Sequence, residues 1–297
     1  MRDDLLVWRS LMFVPVTSDK FVRTAADRGA DAIILDLEDA VAPSMKDHAR
    51  TLIAGAVPQV SRKGADVAVR VNRPWRMLVR DLEAAVIPGV AALMLTKVDS
   101  AEHIQACADI VADLEAERGL PAGAIKFLVL VESAAGFFRI EQIAKAHPRI
   151  VGLSLGSEDF AADVGMESGP EGLFYPKQQA VFAARSAGIL PMGFVGSIAD
   201  FRDQDAFRAI VRRSRRLGFM CASAVHPLQV SVLNEEFSPG AAEVERAERM
   251  IAAYDTAYAA GLGAVQFEGA MIDVPVVERA RSVVRRAAAL RRRPASR

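Results

Sequence analysis

Eight short apolar runs recur along the first three quarters of the chain, and a longer amphipathic stretch separates each from the next. This alternation is typical of βα units, in which buried parallel strands are covered by helices. No glycine-rich dinucleotide motif follows the first run, so eight units favour a closed (β/α)8 TIM barrel of the α/β class over an open doubly wound sheet. The predicted strands are 11–14, 32–35, 67–71, 92–95, 127–131, 150–155, 192–195 and 223–225.

Several predicted helices begin at a polar capping residue. Ser18, Ser44 and Ser100 each precede a helical pattern and can accept a hydrogen bond from a free backbone N–H of the first turn. A further helix is predicted over 200–217, starting at Asp200 and ending before Gly218, a residue favoured in the left-handed conformation that closes helices.

The chain continues well past the eighth predicted strand. We therefore predict a barrel over 1–235 and a C-terminal extension over 236–297. The extension contains helical patterns at 241–260 and 274–291, with Gly261 and Gly263 allowing a tight turn between them, and its basic end, RRRPASR, is expected to fray. Because the barrel is already closed, the extension must pack outside it or reach a neighbouring subunit.

The balance of acidic and basic residues argues against nucleic acids and membrane surfaces as partners. The 297 residues include 37 basic and 37 acidic side chains, whereas a nucleic-acid or membrane-surface protein would carry a basic excess. The N-terminus lacks a signal-peptide pattern, and no apolar run approaches the length of a membrane span. The two cysteines, Cys107 and Cys221, form no CxxC motif. A cytoplasmic protein with reduced thiols is expected.

In a (β/α)8 barrel the active site forms at the C-terminal ends of the strands, so polar residues that directly follow the apolar runs are candidates. Glu132 follows the fifth run and Asp159 the sixth. Neighbouring parallel strands lie about 4.8 Å apart, so the two carboxylates could share one divalent ion. Oxygen ligands without a nearby His or Cys suit Mg²⁺. Either residue could instead be a solvated loop acid or a helix cap.

Other strand ends carry charge as well. Arg70 interrupts the buried third run, and its partner should be a structural carboxylate or a ligand anion, because a buried guanidinium is costly without one. Asp36, Glu38 and Asp39 follow the second run and could order metal-bound waters or pair with Arg70 and Lys20. His226 is the one histidine at a strand end, either as a base or as a turn residue, while His48, His103 and His147 are expected at the surface.

Seven sequence segments follow one another within residues 9–281: RSLMFVPV, DAIILDLEDAVAPSMKDHAR, VRVN, VES, GSEDFAADVG, HPLQVSVLNEEFSP and GAVQFEGAMIDVP. In this order and spacing they resemble the citrate lyase β-subunit-like branch of the HpcH/HpaI aldolase superfamily, close to the citramalyl-CoA and malyl-CoA lyases. The resemblance implies a barrel in a homo-oligomer, a trimer or a hexamer, that uses Mg²⁺ and a CoA thioester.

The resemblance also implies roles for individual residues. Glu132 and Asp159 match the metal ligands, and Arg70 matches the residue that binds substrate oxygens. Phe13 and Lys20 match positions that contact the substrate or the CoA moiety. Asp273 matches an acid that the C-terminal extension delivers to the active site of the neighbouring subunit. It could also simply cap the helix that begins near Pro275.

The chain departs from the family pattern at places outside the metal pair. Val16 replaces a frequent glycine, MGFVGSIADF lacks a frequent DG, and CASAVHP and EGAMID each lack a lysine. These departures bear on the acyl substrate and its carrier.

The expected function is a carbon–carbon lyase that cleaves or forms a short 3-hydroxyacyl-CoA thioester. Citramalyl-CoA, giving acetyl-CoA and pyruvate, is the first candidate, ahead of malyl-CoA, which would release glyoxylate, and methylmalyl-CoA. Four alternatives stay open: a CoA-independent HpcH-type pyruvate aldolase, an acyl-CoA thioesterase, a carrier-protein-dependent citrate lyase β subunit, and a catalytically silent binding protein.

Overall fold

The computed structural model describes residues 5–197 and 202–293. Its main feature is one sheet of eight parallel strands in the order β7-β6-β5-β4-β3-β2-β1-β8. The strands are β1 Ser10–Pro15, β2 Ala32–Asp36, β3 Asp66–Val71, β4 Ala92–Leu95, β5 Lys126–Val131, β6 Ile150–Leu155, β7 Leu190–Pro191 and β8 Ala222–Ala224. Consecutive strands are neighbours from β1 to β7, as right-handed βα units require.

The two ends of this sheet meet. A parallel bridge joins Met192 to Cys221, the Gly193 N–H donates to the Cys221 carbonyl at 2.8 Å, and the Met220 N–H donates to the Pro191 carbonyl at 3.0 Å. These contacts link the residues after β7 to those before β8. They close the ring, and the predicted (β/α)8 barrel is confirmed.

Within residues 5–197 and 202–237, ten helices cover the strands. A large apolar cluster lies between the ring and these helices, and a smaller one fills the interior of the ring. The helices are α1 Asp19–Ala25, α2 Lys46–Ser61, α3 Trp75–Ala85, α4 Ala101–Glu117, α5 Ala134–Phe137, α6 Ile140–Ala144, α7 Ser157–Val164, α8 Pro170–Ser186, α9 Gln204–Arg216 and α10 Pro227–Glu236, with 3₁₀ turns at Ala26–Arg28 and Pro43–Met45. Ser100 caps α4 as predicted, because its Oγ accepts from the His103 N–H. None of the described helices is both long and apolar enough to cross a bilayer.

A second compact unit begins at Ser238. It contains α11 Ala241–Ala259, a hairpin of β9 Val265–Phe267 with β10 Ala270–Ile272, and α12 Val274–Arg292. The two helices match the predicted ones, but the hairpin was not predicted, since its strands are too short to show a period. Within the basic tail, Arg291 and Arg292 are helical, and residues 294–297 lie outside the described part of the chain.

Two boundaries differ from the prediction. The seventh strand is Leu190–Pro191 and not 192–195, because Gly193 turns the chain away at φ 120° immediately after the bridge. The helix predicted from Asp200 begins at Gln204, where Asp203 is the capping residue. Asp200 itself lies outside the described residues. Gly218 adopts the positive φ expected after this helix.

His103 was expected at the surface but is buried on the inner side of α4, 4% exposed. Its ring meets Trp75 edge-on at 5.1 Å, and neither ring nitrogen has a hydrogen-bond partner within the described part of the chain. Burial, assisted by the charge of Arg73, lowers the pKa of His103 to about 4. The fold therefore holds this histidine neutral.

The buried His103 should make stability depend on pH. An unfolded histidine titrates near 6.5, so between that value and about 4 the unfolded state binds more protons and stability falls as pH falls. We expect a loss of about 2 kcal/mol at pH 5 relative to pH 7 from this group. Urea unfolding at the two pH values should show a smaller difference for His103→Leu. His48→Leu, at an exposed histidine, is the control and should show the same difference in unfolding free energy between pH 5 and pH 7 as the wild type. If His103→Leu also showed the wild-type difference, this account would be contradicted.

Candidate active site

A cavity of about 350 Å³ opens at the C-terminal ends of the strands. Along each strand, every second side chain points into the barrel. Ile34, Ala68 and Leu130 belong to the apolar interior, and the polar residues two positions later, Asp36, Arg70 and Glu132, form a layer above it that lines the cavity. Residues from other elements complete the lining: Phe13, Pro15, Asp39, Ala40, Ser154, Leu155, Gly156, Ser157, Glu158, Asp159, Lys177, Gly193, Phe194, Ser223 and Val225.

Arg70 has a structural carboxylate as its partner. Its Nε and Nη2 donate to the two oxygens of fully buried Asp36 at 2.8 and 2.5 Å, and its Nη1 lies 3.0 Å from Glu38 Oε2. The guanidinium stacks over Phe13 at 4.6 Å. Desolvation alone would lower the pKa of Arg70, but the hydrogen bonds and charges of these acids outweigh it and raise that pKa. The cation is permanent and fixed in orientation.

Lys97 supplies a second cation to the same acids. Its Nζ lies 2.6 Å from Glu38 Oε1, 3.7 Å from Asp39 Oδ1 and 3.4 Å from Asp159 Oδ2. The residue adopts φ 51°, an uncommon left-handed conformation for a side chain other than glycine. That conformation directs its backbone N–H to Glu132 Oε2 at 2.8 Å. One residue thus holds Glu132 by its main chain and Asp159 by its side chain.

Glu132 follows β5 and is 9% exposed. Its Oε2 accepts from the Lys97 backbone N–H, its Oε1 accepts no hydrogen bond from the described residues, and the residue borders the cavity. Desolvation, with the charges of Asp159 and Glu38, raises the pKa of Glu132 to about 7. Gly156 is needed beside it, because a Cβ there would lie 2.4 Å from Glu132 Oε1.

Asp159 lies in the first turn of α7, which begins directly after β6. Its neighbour Glu158 accepts from Ser197 Oγ and also borders the cavity. Five carboxylates therefore line the cavity, those of Asp36, Asp39, Glu132, Glu158 and Asp159, against the cations Arg70 and Lys177. This excess of negative charge, together with the unpaired Glu132 Oε1, is suited to a bound cation.

The donor set fits a hard divalent ion better than a soft one. Within the described residues no group of three or more His, Cys, Asp or Glu side chains converges on one point. Glu132 and Asp159 could supply two oxygen ligands, which is the number that Mg²⁺ commonly takes from a protein while it keeps water or substrate at its other positions. Both cysteines are buried.

Two predicted site residues, Lys20 and Asp273, and the candidate His226 have the following surroundings in the structure. Lys20 is exposed on α1 and is not among the cavity residues, and the acids after β2 pair with Lys97 in its place. Asp273 belongs to the second unit, where it is exposed and caps α12, its Oδ1 accepting from the Val276 N–H at 3.4 Å. His226 caps α10, with its Nδ1 accepting from the Leu228 N–H at 3.2 Å.

Sequence reasoning assigned no role to Lys97, Ser154 or Lys177. Lys97 directly follows the fourth apolar run and is therefore recognisable as a polar residue at a strand end. Ser154 is one polar residue inside an apolar strand, and Lys177 is one of many charged residues on a helix that normally face solvent. Nothing in the sequence alone distinguishes Lys177 from them.

Comparison with known proteins identifies the family of this chain. The profile of the HpcH/HpaI aldolase/citrate lyase family matches residues 9–227. The chain belongs to this family. The family member from Leuconostoc mesenteroides subsp. cremoris named citrate lyase subunit beta is 33% identical over 280 residues, covering 93% of this chain and 92% of its own. An L-malyl-CoA/beta-methylmalyl-CoA lyase of Cereibacter sphaeroides is 35% identical over 302 residues, 94% of each chain.

Among solved structures, the family protein CitE of Mycobacterium tuberculosis, in complex with magnesium, acetoacetate and coenzyme A, has a TM-score of 0.73 at 28% identity. The match covers 94% of this chain and 97% of that one. Because these curated relatives are named lyases, the prediction of a lyase of the citrate lyase β-subunit type is confirmed for the family to which this chain belongs.

Proposed function

We propose that this family member is a Mg²⁺-dependent carbon–carbon lyase that acts on a short 3-hydroxyacyl-CoA thioester. The observation that carries the proposal is the arrangement around Glu132, a buried carboxylate that lines the same cavity as Asp159. Citramalyl-CoA is the first candidate, with acetyl-CoA and pyruvate as products, followed by malyl-CoA and methylmalyl-CoA.

Glu132 and Asp159 would hold the metal. When bound there, Mg²⁺ supplies a Lewis acid and a template for the oxygens of the acid portion. Lys97 keeps Glu132 oriented through its backbone N–H and partly offsets the acid cluster. Arg70 is fixed by Asp36 and borders the cavity, so its positive charge can stabilise the thioester enolate that carbon–carbon cleavage leaves.

Cleavage turns the 3-hydroxyl group into the carbonyl of the oxo acid and releases its proton, and the enolate takes up one proton to become an acyl-CoA. No histidine borders the cavity in the described part of the chain. We propose that Asp273 donates this proton, from the C-terminal extension of a neighbouring subunit in a homo-oligomer, a trimer or a hexamer.

The test of the function is a substrate screen. Purified protein with Mg²⁺ is given citramalyl-, malyl- and methylmalyl-CoA in turn, and free CoA and 2-oxo acid are measured separately. A lyase releases the oxo acid and an acyl-CoA without free CoA. A thioesterase would release free CoA, an HpcH-type aldolase would turn over acids without CoA, and a citrate lyase β subunit would need a carrier protein. Turnover of no thioester would contradict the proposal.

Metal affinity should depend on pH through Glu132. Its pKa of about 7 means that below this value a proton competes with Mg²⁺ for the carboxylate. We expect the apparent affinity to fall up to about tenfold for each pH unit below about 7, and to level off above it. Calorimetric titration of Mg²⁺ from pH 5.5 to 8 measures this, and a flat profile would mean that Glu132 does not bind the ion.

A complementation experiment tests whether Asp273 acts in trans. Inactive Asp273→Ala subunits are mixed with inactive Glu132→Gln subunits under conditions that allow exchange. Some mixed interfaces then pair an intact Glu132 with an intact Asp273, so part of the activity should return. No recovery in verified mixed oligomers would mean that each subunit uses its own acid or that Asp273 serves only as the cap of α12.

A further inference from the structure

Lys177 is a buried cation that the proposed mechanism does not use. It lies on α8, is 5% exposed and borders the cavity. Within the described part of the chain it has no hydrogen bond or ion pair, whereas other buried or nearly buried cations have carboxylate partners: Arg70 with Asp36, Arg149 with Glu115, and Arg50 with Asp81. Because burying an ammonium group without a counter-ion is unfavourable, such a lysine at a cavity indicates a site for a ligand atom with negative charge.

The surroundings of the Lys177 amine form a recess on one side of the cavity. Its Nζ lies 5.7 Å from the centre of the Phe194 ring. A Cβ atom placed on Gly193 would lie 3.7 Å from Lys177 Nζ and 3.4 Å from Ser154 Oγ, and the glycine leaves this position open. One ligand atom at this point would therefore contact both the ammonium group and the hydroxyl group.

The Lys177 amine is mostly protonated at neutral pH. Burial lowers the pKa of Lys177 to about 8, and the negative charge of Glu158 opposes this effect only in part. At pH 7 about nine tenths of the molecules therefore carry the ammonium form. The ammonium group has three N–H donors and the Ser154 hydroxyl has one, so the recess is suited to an oxygen atom with negative charge.

The recess and Arg70 lie on different sides of the proposed metal pair. Arg70 is on β3, Glu132 follows β5 and Asp159 follows β6, whereas Ser154 is on β6 and Gly193 follows β7. All of these residues line the same cavity. A ligand that binds a metal ion at Glu132 and Asp159 could therefore extend a second polar group towards the recess.

The donors of Arg70 are already occupied. Its Nε and Nη2 donate to Asp36, and its Nη1 lies 3.0 Å from Glu38 Oε2 and 3.5 Å from Asp39 Oδ2. Arg70 therefore acts on a substrate mainly through its positive charge, whereas Lys177 has N–H donors that no described residue accepts.

The proposed substrates contain a second polar group that fits this arrangement. In citramalyl-CoA and malyl-CoA, C3 carries both the hydroxyl group and the single free carboxylate, and the thioester carbonyl carbon lies two carbon–carbon bonds away. When the bond between C2 and C3 breaks, its electron pair forms the enolate, and negative charge collects on the thioester oxygen. Cleavage therefore creates in the substrate the kind of atom to which the recess is suited.

We propose that Lys177 and Ser154 bind the thioester oxygen and stabilise the enolate during carbon–carbon cleavage. This inference rests on the proposed function for the identity of the substrate. The electron pair of the C2–C3 bond moves onto the thioester, the hydroxyl group at C3 becomes the oxo group, and the hydroxyl proton passes to solvent. Lys177 and Ser154 form no covalent bond and give up no proton. The enolate carbon then takes up the proton that the proposed function assigns to Asp273.

Binding of two CoA derivatives tests this contact without turnover. Acetyl-CoA and S-ethyl-CoA differ only in the carbonyl oxygen, which the thioether lacks. In the presence of Mg²⁺ we expect the wild type to bind acetyl-CoA about tenfold more tightly, the effect of a hydrogen bond from a charged donor. Lys177→Met should bind the two compounds equally and should keep the Mg²⁺ affinity of the wild type. Calorimetry measures these dissociation constants.

Turnover of the thioester that the wild type cleaves tests the effect on the enolate. Lys177→Met should lower kcat about 10²–10³-fold, as the loss of one donor to an oxyanion commonly does, with a much smaller change in KM. Lys177→Arg keeps the charge and should recover part of the rate, and Ser154→Ala should lower kcat about tenfold. Lys145→Met, at an exposed lysine outside the cavity, is the control and should change neither kcat nor binding.

Thermal unfolding separates this role from a structural one. Lys177→Met removes a buried charge that has no ion-pair partner among the described residues, so its thermal midpoint should be no lower than that of the wild type. A lower midpoint with an unchanged preference for acetyl-CoA would mean that the lysine is structural, and the proposal would be wrong. It would also be wrong if Lys177→Met kept kcat within about threefold of the wild type.

The two ligands also distinguish failure of this inference from failure of the proposed function. Equal binding of acetyl-CoA and S-ethyl-CoA by the wild type would overturn the role of Lys177 and leave the lyase assignment intact. Binding of neither compound would contradict the use of a CoA thioester and, with it, the role of Lys177.

Discussion

Glu132→Gln is expected to reduce turnover by about three orders of magnitude while the protein remains folded. The amide has nearly the same shape, but it removes the negative charge that a metal ligand needs, and a loss of about 4 kcal/mol of transition-state stabilisation corresponds to this factor. Stability should not fall, because the pKa of Glu132 is raised to about 7 and the carboxylate is already unfavourable in its buried position. Turnover, Mg²⁺ binding and the thermal midpoint are measured together.

Two further variants sharpen this expectation. Gly156→Ala keeps the Glu132 charge but places a Cβ 2.4 Å from its Oε1 in the present geometry, so the carboxylate must move and both metal binding and turnover should weaken. Glu83→Gln makes the same chemical change at an exposed position on α3 and serves as the control. If Glu132→Gln turned over within about tenfold of the wild type, Glu132 could not be a metal ligand.

Substitution of Arg70 is expected to have the second large effect, because it should lower both the stability of the protein and the catalytic rate. Arg70→Met leaves Asp36, which is fully buried, without its cationic partner, and breaking a buried pair in this way costs about 3–5 kcal/mol. Asp36 also accepts from the Glu38 and Ala40 N–H groups, so the loop after β2 should loosen too. Urea unfolding measures the loss of stability.

Arg70→Lys separates the structural role of the arginine from its chemical one. Lysine keeps a charge but cannot donate to both oxygens of Asp36, so both stability and kcat should fall. Arg149→Lys is the matched control, because Arg149 makes the same two-bonded contact with Glu115 but precedes β6, at the opposite end of the strands from the cavity. It should lose stability and retain specific activity. If Arg70→Lys also lost stability but retained its specific activity, the role of Arg70 would be purely structural.

The barrel could be predicted from the sequence because its strands and helices are specified by local, periodic patterns of apolar residues. Each strand is buried on both faces and therefore appears in the sequence as an apolar run. The run ends where the cavity begins, so Glu132 and Arg70 are recognisable as polar residues at strand ends. The prediction failed where this periodicity is weak. β7 pairs over only two residues, and the β9–β10 hairpin has strands of three residues each.

Burial of individual polar residues could not be predicted in this way. His103 and Lys177 each lie on an amphipathic helix, and the sequence pattern does not show how deeply a residue at the edge of the apolar face will be covered. The coverage comes from residues distant in the chain: Trp75 of α3 against His103, and Phe194 against Lys177.

The sequence by itself determined the strand and helix order, the position of the acids and Arg70 at strand ends, and membership of the chain in its family, since these depend on residue types and their spacing. Only the tertiary structure decided which charges meet. Arg70 pairs with Asp36, Lys97 links Glu38, Asp159 and Glu132, and Lys177 has no ion-pair partner among the residues that the structure describes. The physical reason is that an ion pair depends on distances of a few ångström between side chains from different strands and helices. Closure of the ring sets those distances, and no local pattern in the chain records them.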